Sequence, residues 1–134
     1  MNLMKNKKIL YLLPSLIYAL LIFIVSGLEN ISIPDFGLNL SDKILHFLAY
    51  LLFGLTLYFS IRGYKSDISL IHQFILLLSI GSIYALSDEI HQYFVPGRTC
   101  DLLDLASDVL GIIVSFFIYK LIYKTIKSRR ASIV

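Results

Sequence analysis

Apolar residues fill four long blocks of the chain, and short polar segments separate the blocks. The blocks cover about residues 9–28, 43–61, 70–92 and 102–123. About 20 helical residues cross a hydrocarbon core of roughly 30 Å, so each block is long enough for one spanning helix. A helix also satisfies its own backbone hydrogen bonds, which a lipid environment requires. The pattern predicts an all-α integral membrane bundle of four transmembrane helices, in a single domain over 1–134.

The segments between the blocks contain residues that end helices. Proline, glycine and asparagine punctuate the first connection, and Ser41 or Asp42 is expected to cap the second helix after it. The third connection, 95–99, reads Val-Pro-Gly-Arg-Thr and is predicted to be a tight turn, because proline presets φ and glycine admits a positive φ. The fourth helix is expected to begin near Asp101 or Asp104.

Two pairs of small residues favour close packing between helices. Gly81 and Ala85 lie four apart on the predicted third helix, and Gly111 and Ser115 lie four apart on the fourth. Small side chains at this spacing let two helix backbones approach each other, and such packing holds membrane bundles together.

The basic residues predict which way the bundle faces. Four spans place both termini on one side, and ten of the 12 lysines and arginines fall on that side. The ten are Lys5, Lys7, Lys8, Arg62, Lys65, Lys120, Lys124, Lys127, Arg129 and Arg130. Cytoplasmic loops of membrane proteins carry such an excess, so both termini are predicted to be cytoplasmic in a multi-pass protein of the cell membrane. The basic tail from Lys124 onward is expected to fray.

Composition supports this interpretation. The chain is 57% hydrophobic and 16% charged, with a mean hydropathy of +0.79, which is too apolar for an ordinary soluble domain. Its net charge of +3 sits mostly near the ends rather than in a basic stripe, so nucleic acid is not an expected partner and an anionic membrane surface is. The single Cys100 excludes an internal disulfide bond and a multi-cysteine metal site.

Polar side chains gather at the predicted external ends of three helices. Their spacing places them on single helical stripes, as for Asp42, His46 and Tyr50, which are four apart. Carboxylates that face lipid are costly, so the stripes are expected to face one another in the bundle interior or around a water-filled vestibule. Arg98 is expected to fold over them, and its planar fork of donors suits a carboxylate or phosphate. This polar cluster, the candidate ligand-binding site, consists of Asp42, His46, Tyr50, Asp88, Glu89, His91, Gln92, Arg98, Asp101, Asp104 and Asp108.

Two explanations account for the polar cluster. Its members could satisfy one another, with Asp42, Asp101 and Asp104 as helix caps and Arg98 neutralising Asp101 or Glu89. Against this, six acids face two fixed cations and two histidines, and unpaired buried charge is penalised. The excess of acid favours a functional site that holds a cation or contacts water.

The chemistry of such a site stays open between binding and catalysis. Paired carboxylates can serve as acid and base, so Asp42, His46, Glu89 and Asp104 are the candidate catalytic residues. His46, Glu89 and Asp104 are also candidate ligands for a divalent metal, although the chain has no HExxH spacing. No Ser-His-Asp or Cys-His pattern places a nucleophile.

Separated motifs in helices two to four resemble the VanZ-like membrane protein family, over about residues 41–117. The motifs are Asp42-Lys43-Ile44-Leu45-His46-Phe47 with Tyr50, then Asp88-Glu89-Ile90-His91-Gln92, then Val95-Pro96-Gly97-Arg98 with Asp101 and Asp104. The family takes its name from a protein linked to resistance to teicoplanin, a lipophilic glycopeptide antibiotic. The resemblance implies a role in the bacterial cell envelope. It assigns site roles to Asp42, His46, Glu89, Gln92, Arg98, Asp101 and Asp104, and departs from the family pattern at Asp108, where the family has asparagine.

Three functions follow, in order of preference. The first is binding of an envelope lipid, a lipid-linked precursor or a lipophilic glycopeptide at the polar cluster. The second is a membrane-embedded hydrolase or transferase that acts on a lipid-linked envelope substrate, with a divalent metal as the candidate cofactor. The third is a structural or assembly subunit.

Overall fold

The computed structural model describes residues 8–29, 40–65 and 67–131, and these residues contain helices and no strand. This confirms the predicted all-α fold. The four long helices are α1, Leu13–Ser26; α2, Leu40–Tyr64; α3, Leu70–Tyr93; and α4, Leu102–Ala131.

Four helical segments are long and apolar enough to cross a membrane: Lys8–Ser26, which includes α1, Ser41–Tyr64, Leu70–Tyr93 and Leu102–Ile126. Many of their large apolar side chains point outward, and Ile17, Ile83 and Leu121 are 64–69% exposed. An outward apolar surface on every helix is what a lipid environment accommodates. The cytoplasmic location of both termini stays a prediction from the charge pattern.

The helix ends differ from the sequence-based expectation at two places. α2 already begins at Leu40, so Ser41 and Asp42 lie in its first turn rather than at its cap, where the Asp42 carboxylate still complements the helix dipole. The tail expected to fray is helical through Ala131, because lysine and arginine are good helix formers and Ile126 continues the apolar pattern. Residues 1–7, 30–39 and 132–134 lie outside the described residues.

Two other predictions about helix ends are confirmed. Gly97 in the third connection has a φ of 80°, the left-handed conformation that the turn was expected to require. Asp101 precedes α4, and its Oδ1 accepts a hydrogen bond of 2.8 Å from the backbone N–H of Leu103. This bond satisfies one of the free N–H groups at the helix start.

α2 and α4 form the most extensive contact in the bundle, and α1 packs on the outside against α2 and α3. The α2–α4 contact depends on Gly111. A Cβ atom at this position would lie 2.5 Å from the carbonyl oxygen of Phe47 and 2.8 Å from the backbone nitrogen of Leu51. Gly54 meets Ser115 in the same contact. The predicted small pair on α4 therefore lies where two backbones touch.

This packing brings the polar helix ends together. The ion pair between Lys43 and Asp101 joins the N-terminal turn of α2 to the start of α4. The backbone N–H of Asp101 also donates to Glu89 on α3. The middle of the bundle is aromatic, with Tyr50, Phe53 and Tyr84 in mutual ring contact.

Replacement of Gly111 by alanine is expected to destabilise the protein, although alanine is the better helix former by about 1 kcal/mol. The added methyl group would meet backbone atoms of α2, and overpacking of this kind costs about 1–3 kcal/mol. Unfolding of the purified protein in mixed micelles, followed by circular dichroism as denaturing detergent is added, measures the difference in free energy of unfolding.

The matched control is Ala106→Leu, because Ala106 is exposed on the same helix. A larger side chain there is expected to change the free energy of unfolding by less than about 0.5 kcal/mol. A Gly111→Ala protein as stable as the wild type would contradict the close approach of α2 and α4.

Candidate functional site

Four carboxylate side chains are buried at the polar end of the bundle. Asp88 and Glu89 on α3 are 4% and 1% exposed, and Asp104 and Asp108 on α4 are 5% and 0% exposed. A buried charge is costly unless it is paired and hydrogen-bonded. The partners of these groups therefore show how the site is built.

Lys43 forms ion pairs with two of the acids. Its Nζ lies 2.8 Å from Oδ2 of Asp101 and 2.9 Å from Oδ1 of Asp104, which ties the start of α2 to the start of α4. The ammonium group, together with the N–H of Leu103, holds the pKa of the Asp101 carboxyl below its usual range. Lys43 was not among the predicted site residues, although it and Arg98 are the two basic residues on the predicted external side.

His46 on α2 connects the two most deeply buried acids. Its Nδ1 lies 3.0 Å from Oδ1 of Asp108 and 3.9 Å from Oε1 of Glu89. The other oxygen of Glu89, Oε2, accepts a 3.0 Å bond from the backbone N–H of Asp101. One imidazole and two carboxylates, from three helices, thus converge on one point.

Asp88 belongs to a second set of contacts. Its Oδ2 accepts hydrogen bonds from the Tyr50 hydroxyl at 3.2 Å and from Nε2 of Gln92 at 3.3 Å. The guanidinium group of Arg98 donates from Nε and Nη2 to Oε1 of Gln92, at 3.2 and 2.7 Å. Arg98 therefore reaches the polar cluster through an amide, and not by neutralising Asp101 or Glu89.

His91 lies apart from the buried acids. Its ring stacks on Phe23 of α1 at a centroid distance of 4.3 Å, and its Nδ1 lies 3.4 Å from the hydroxyl of Ser26. On α3 the neighbouring positions Asp88 and Gln92 turn inward, whereas His91 turns toward α1 and is only half-buried.

A cavity of about 250 Å³ opens between α1, α2 and α3 beside the polar cluster. Seven of the residues that line it are polar: Ser26, Asp42, His46, Tyr50, Asp88, Gln92 and Arg98. The other six are largely apolar: Tyr18, Leu21, Ile22, Val25, Leu45 and Ala49. Sequence reasoning missed the part that α1 contributes, because its apolar residues look like those of any spanning helix.

Three carboxylate oxygens in the described part of the chain are buried without a hydrogen-bond partner: Asp88 Oδ1, Glu89 Oε1 and Asp108 Oδ2. Two sets of side chains offer ligand atoms within 4.8 Å of one another: Asp42, His46 and Asp104, and His46, Glu89 and Asp108. The predicted metal ligands are thus divided between two sets that share the imidazole.

Comparison with known proteins identifies the family. Residues 3–123 match the family model described as VanZ/LLP1, so the chain belongs to that family. The match confirms the resemblance to VanZ-like proteins and spans all four helices. No curated protein and no solved structure matches the chain. Family membership and four membrane-capable helices together support a VanZ-like membrane protein.

Replacement of Lys43 by methionine is expected to destabilise the protein by about 1–3 kcal/mol, the cost of leaving the buried Asp104 carboxylate without its partner. The effect should depend on pH. Because Lys43 depresses the folded-state pKa of Asp101, its stabilisation is present above the unfolded value of about 4 and is lost as the pH falls through the folded value. The free energy of unfolding in micelles, measured from pH 8 to pH 3, checks both statements.

Lys65→Met serves as the control, because Lys65 is an exposed lysine at the other end of α2. It is expected to leave stability nearly unchanged at every pH. If the two variants behave alike, or the deficit of Lys43→Met grows below pH 4, the account of the ion pair is wrong.

Proposed function

We propose that this VanZ/LLP1 family protein is a multi-pass protein of the bacterial cell membrane whose cavity binds the polar head of an envelope amphiphile. The ligand is an envelope lipid, a lipid-linked precursor or a lipophilic glycopeptide of the teicoplanin type. The observation that carries the proposal is that one cavity is lined both by charged and hydrogen-bonding side chains of the polar cluster and by apolar side chains of α1 and α2.

The polar residues that line the cavity offer both hydrogen-bond acceptors and donors. Asp42 and Asp88 present carboxylates, and Asp88 Oδ1 has no partner among the described residues. Arg98 donates two of its N–H groups to Gln92, which leaves further N–H groups of the five on a guanidinium for a phosphate or carboxylate. These acceptors and donors suit a head group that carries charge or several hydroxyl and amide groups.

The apolar residues of the lining and the size of the cavity restrict what can enter. Leu21, Val25 and Ala49 face the space from α1 and α2. A volume of about 250 Å³ is below that of a typical drug-sized site, about 300–1,000 Å³, so a complete lipid or glycopeptide does not fit. A head group fits, with its attached chain left in the bilayer beside α1.

A second candidate function is a hydrolase or transferase that acts on a lipid-linked envelope substrate. The contact between His46 and Asp108 favours it, because a buried carboxylate on Nδ1 orients an imidazole as a general base, and His46 borders the cavity. A third candidate, a structural or assembly subunit, would need neither a cavity nor unpaired carboxylate oxygens.

Filling the cavity is expected to weaken ligand binding. Ala49→Phe adds a ring inside the cavity, and Arg98→Ala removes the charged donor, for which a loss of about 1.5–3 kcal/mol, or roughly 10- to 100-fold in affinity, is expected. Native mass spectrometry of the protein in nanodiscs measures this with an anionic phospholipid, a polyprenyl phosphate, teicoplanin and a glycopeptide without an acyl chain.

Ala106→Phe is the matched control, since it adds the same ring on the exposed surface of α4. It should bind as the wild type does. If no probe binds the folded wild type, or if Ala49→Phe binds as well as Ala106→Phe, the cavity is not the binding site.

The enzyme candidate has a separate test. The folded protein is incubated with the same lipids, and products are identified by mass spectrometry, with His46→Gln as the comparison. Turnover by the wild type that His46→Gln abolishes supports the enzyme, and binding without turnover supports the binding protein.

A further inference from the structure

We infer that His46, Glu89 and Asp108 form a site for one divalent transition-metal ion of the Zn²⁺ or Mn²⁺ class. The site lies beside the cavity and does not depend on whether an amphiphile binds there. Each ligand comes from a different helix, so the ion would also join α2, α3 and α4 at their polar ends.

The three side chains already stand at a suitable separation. Their ligand atoms lie within 4.8 Å of one another, with 3.0 Å between His46 Nδ1 and Asp108 Oδ1 and 3.9 Å between His46 Nδ1 and Glu89 Oε1. Bonds of about 2.0–2.2 Å from nitrogen and oxygen to Zn²⁺ place tetrahedral ligands roughly 3.4 Å apart. The two distances from His46 Nδ1 bracket that value, and the distance between the two carboxylates is at most 4.8 Å, so modest side-chain movements would close the site.

Both carboxylates at this point are buried, and each has one oxygen without a partner. Glu89 is 1% exposed and Asp108 is 0% exposed, and Glu89 Oε1 and Asp108 Oδ2 have no hydrogen bond among the described residues. Glu89 Oε2 is held by the backbone N–H of Asp101 at 3.0 Å, which fixes the carboxylate with Oε1 directed at His46. Metal-ligating carboxylates are commonly held by such a bond on their second oxygen.

The charges nearby favour a cation here. The polar cluster contains six acids, and the fixed positive charges next to them are Lys43 and Arg98. Lys43 pairs with Asp101 and Asp104, and Arg98 donates to the amide of Gln92 rather than to Glu89 or Asp108. A divalent ion would supply the buried carboxylates of Glu89 and Asp108 with the counter-charge that a protonated His46 supplies only in part.

The competing set, Asp42, His46 and Asp104, is the poorer site. Oδ1 of Asp104 is already 2.9 Å from the ammonium nitrogen of Lys43, which would repel a second cation. The mixture of one imidazole with two carboxylates selects Zn²⁺ or Mn²⁺ over Mg²⁺ and Ca²⁺, which prefer oxygen ligands alone.

Metal binding and general-base catalysis require different protonation states of His46 Nδ1. As a base oriented by Asp108, the imidazole keeps its proton on Nδ1. As a ligand through Nδ1, it gives up that proton and the hydrogen bond to Asp108. Metal binding and base catalysis through this dyad are therefore alternatives for the same nitrogen.

The test is a titration of the full-length protein in nanodiscs with Co²⁺, followed by visible absorption, together with elemental analysis of the Zn²⁺ retained after gel filtration. The wild type is expected to bind one ion per chain. Glu89→Gln and Asp108→Asn, which keep the shape of each side chain, are expected to weaken binding by at least about 10-fold. Circular dichroism and elution volume establish that each variant is folded.

Asp88→Asn is the matched control, because it removes an equally buried charge, also with an unpartnered oxygen, next to Glu89. It is expected to change metal affinity much less than Glu89→Gln does. If one of the two ligand variants does not fold, the other carries the same comparison.

Three results would overturn the inference. The folded wild type binds no Co²⁺ or Zn²⁺; Asp88→Asn loses as much affinity as Glu89→Gln; or Asp104→Asn loses the ion while Glu89→Gln retains it. None of them bears on amphiphile binding, which is measured with lipids and glycopeptides in a protein that carries no added metal.

Discussion

Burial of carboxylates at one end of an apolar bundle is the constraint on which the rest of this structure depends. Helices that are apolar on every face could pack in many registers, but the buried acids must meet partners. Lys43 reaches two of them from α2, and the backbone N–H of Asp101 reaches Glu89 from the start of α4. These bonds fix how far α2, α3 and α4 are displaced along one another.

The buried carboxylates also include oxygens without hydrogen-bond partners, and these oxygens point to function. The polar partners in the described residues do not suffice for all the acids, and the oxygens left over lie beside the cavity or beside His46. A polar network needed only for folding would be expected to close on itself, because unsatisfied buried groups are costly. The excess acceptors are the physical reason for treating this end of the bundle as a site rather than as internal packing.

Much of the fold could be predicted because the lipid environment leaves few alternatives. Block length was enough to predict four helices, and Gly97 has the left-handed conformation that the turn was expected to require. The four-residue spacing of Asp42, His46 and Tyr50 on α2 also predicted that His46 belongs to the polar cluster. Helical spacing could not predict which neighbouring helix each polar residue faces. It did not show that His91 points toward α1, because a rotation of α3 by a fraction of a turn exchanges the residues that face the bundle interior with those that face α1.

Other features had no sequence signal. Most of the apolar lining of the cavity comes from α1, whose Leu21 and Val25 resemble residues that face lipid. The choice of Gln92 as the partner of Arg98 depends on the path of the loop, which composition does not specify. The pairing of Lys43 with Asp101 and Asp104 depends on how the start of α4 packs against α2, which spacing within one helix does not specify.

The outer position of α1 has a consequence for how the sequence can vary among relatives. One narrow stripe of this helix, Ser15, Ile22 and Ser26, is buried against the other helices, while Leu16 and Ile17 are 61% and 64% exposed. Exchanges among apolar residues at the exposed positions cost little, so drift there should be fast. Substitutions should be rare at the buried positions of the stripe. An alignment of relatives would therefore show a few conserved positions in α1 among apolar residues that exchange freely.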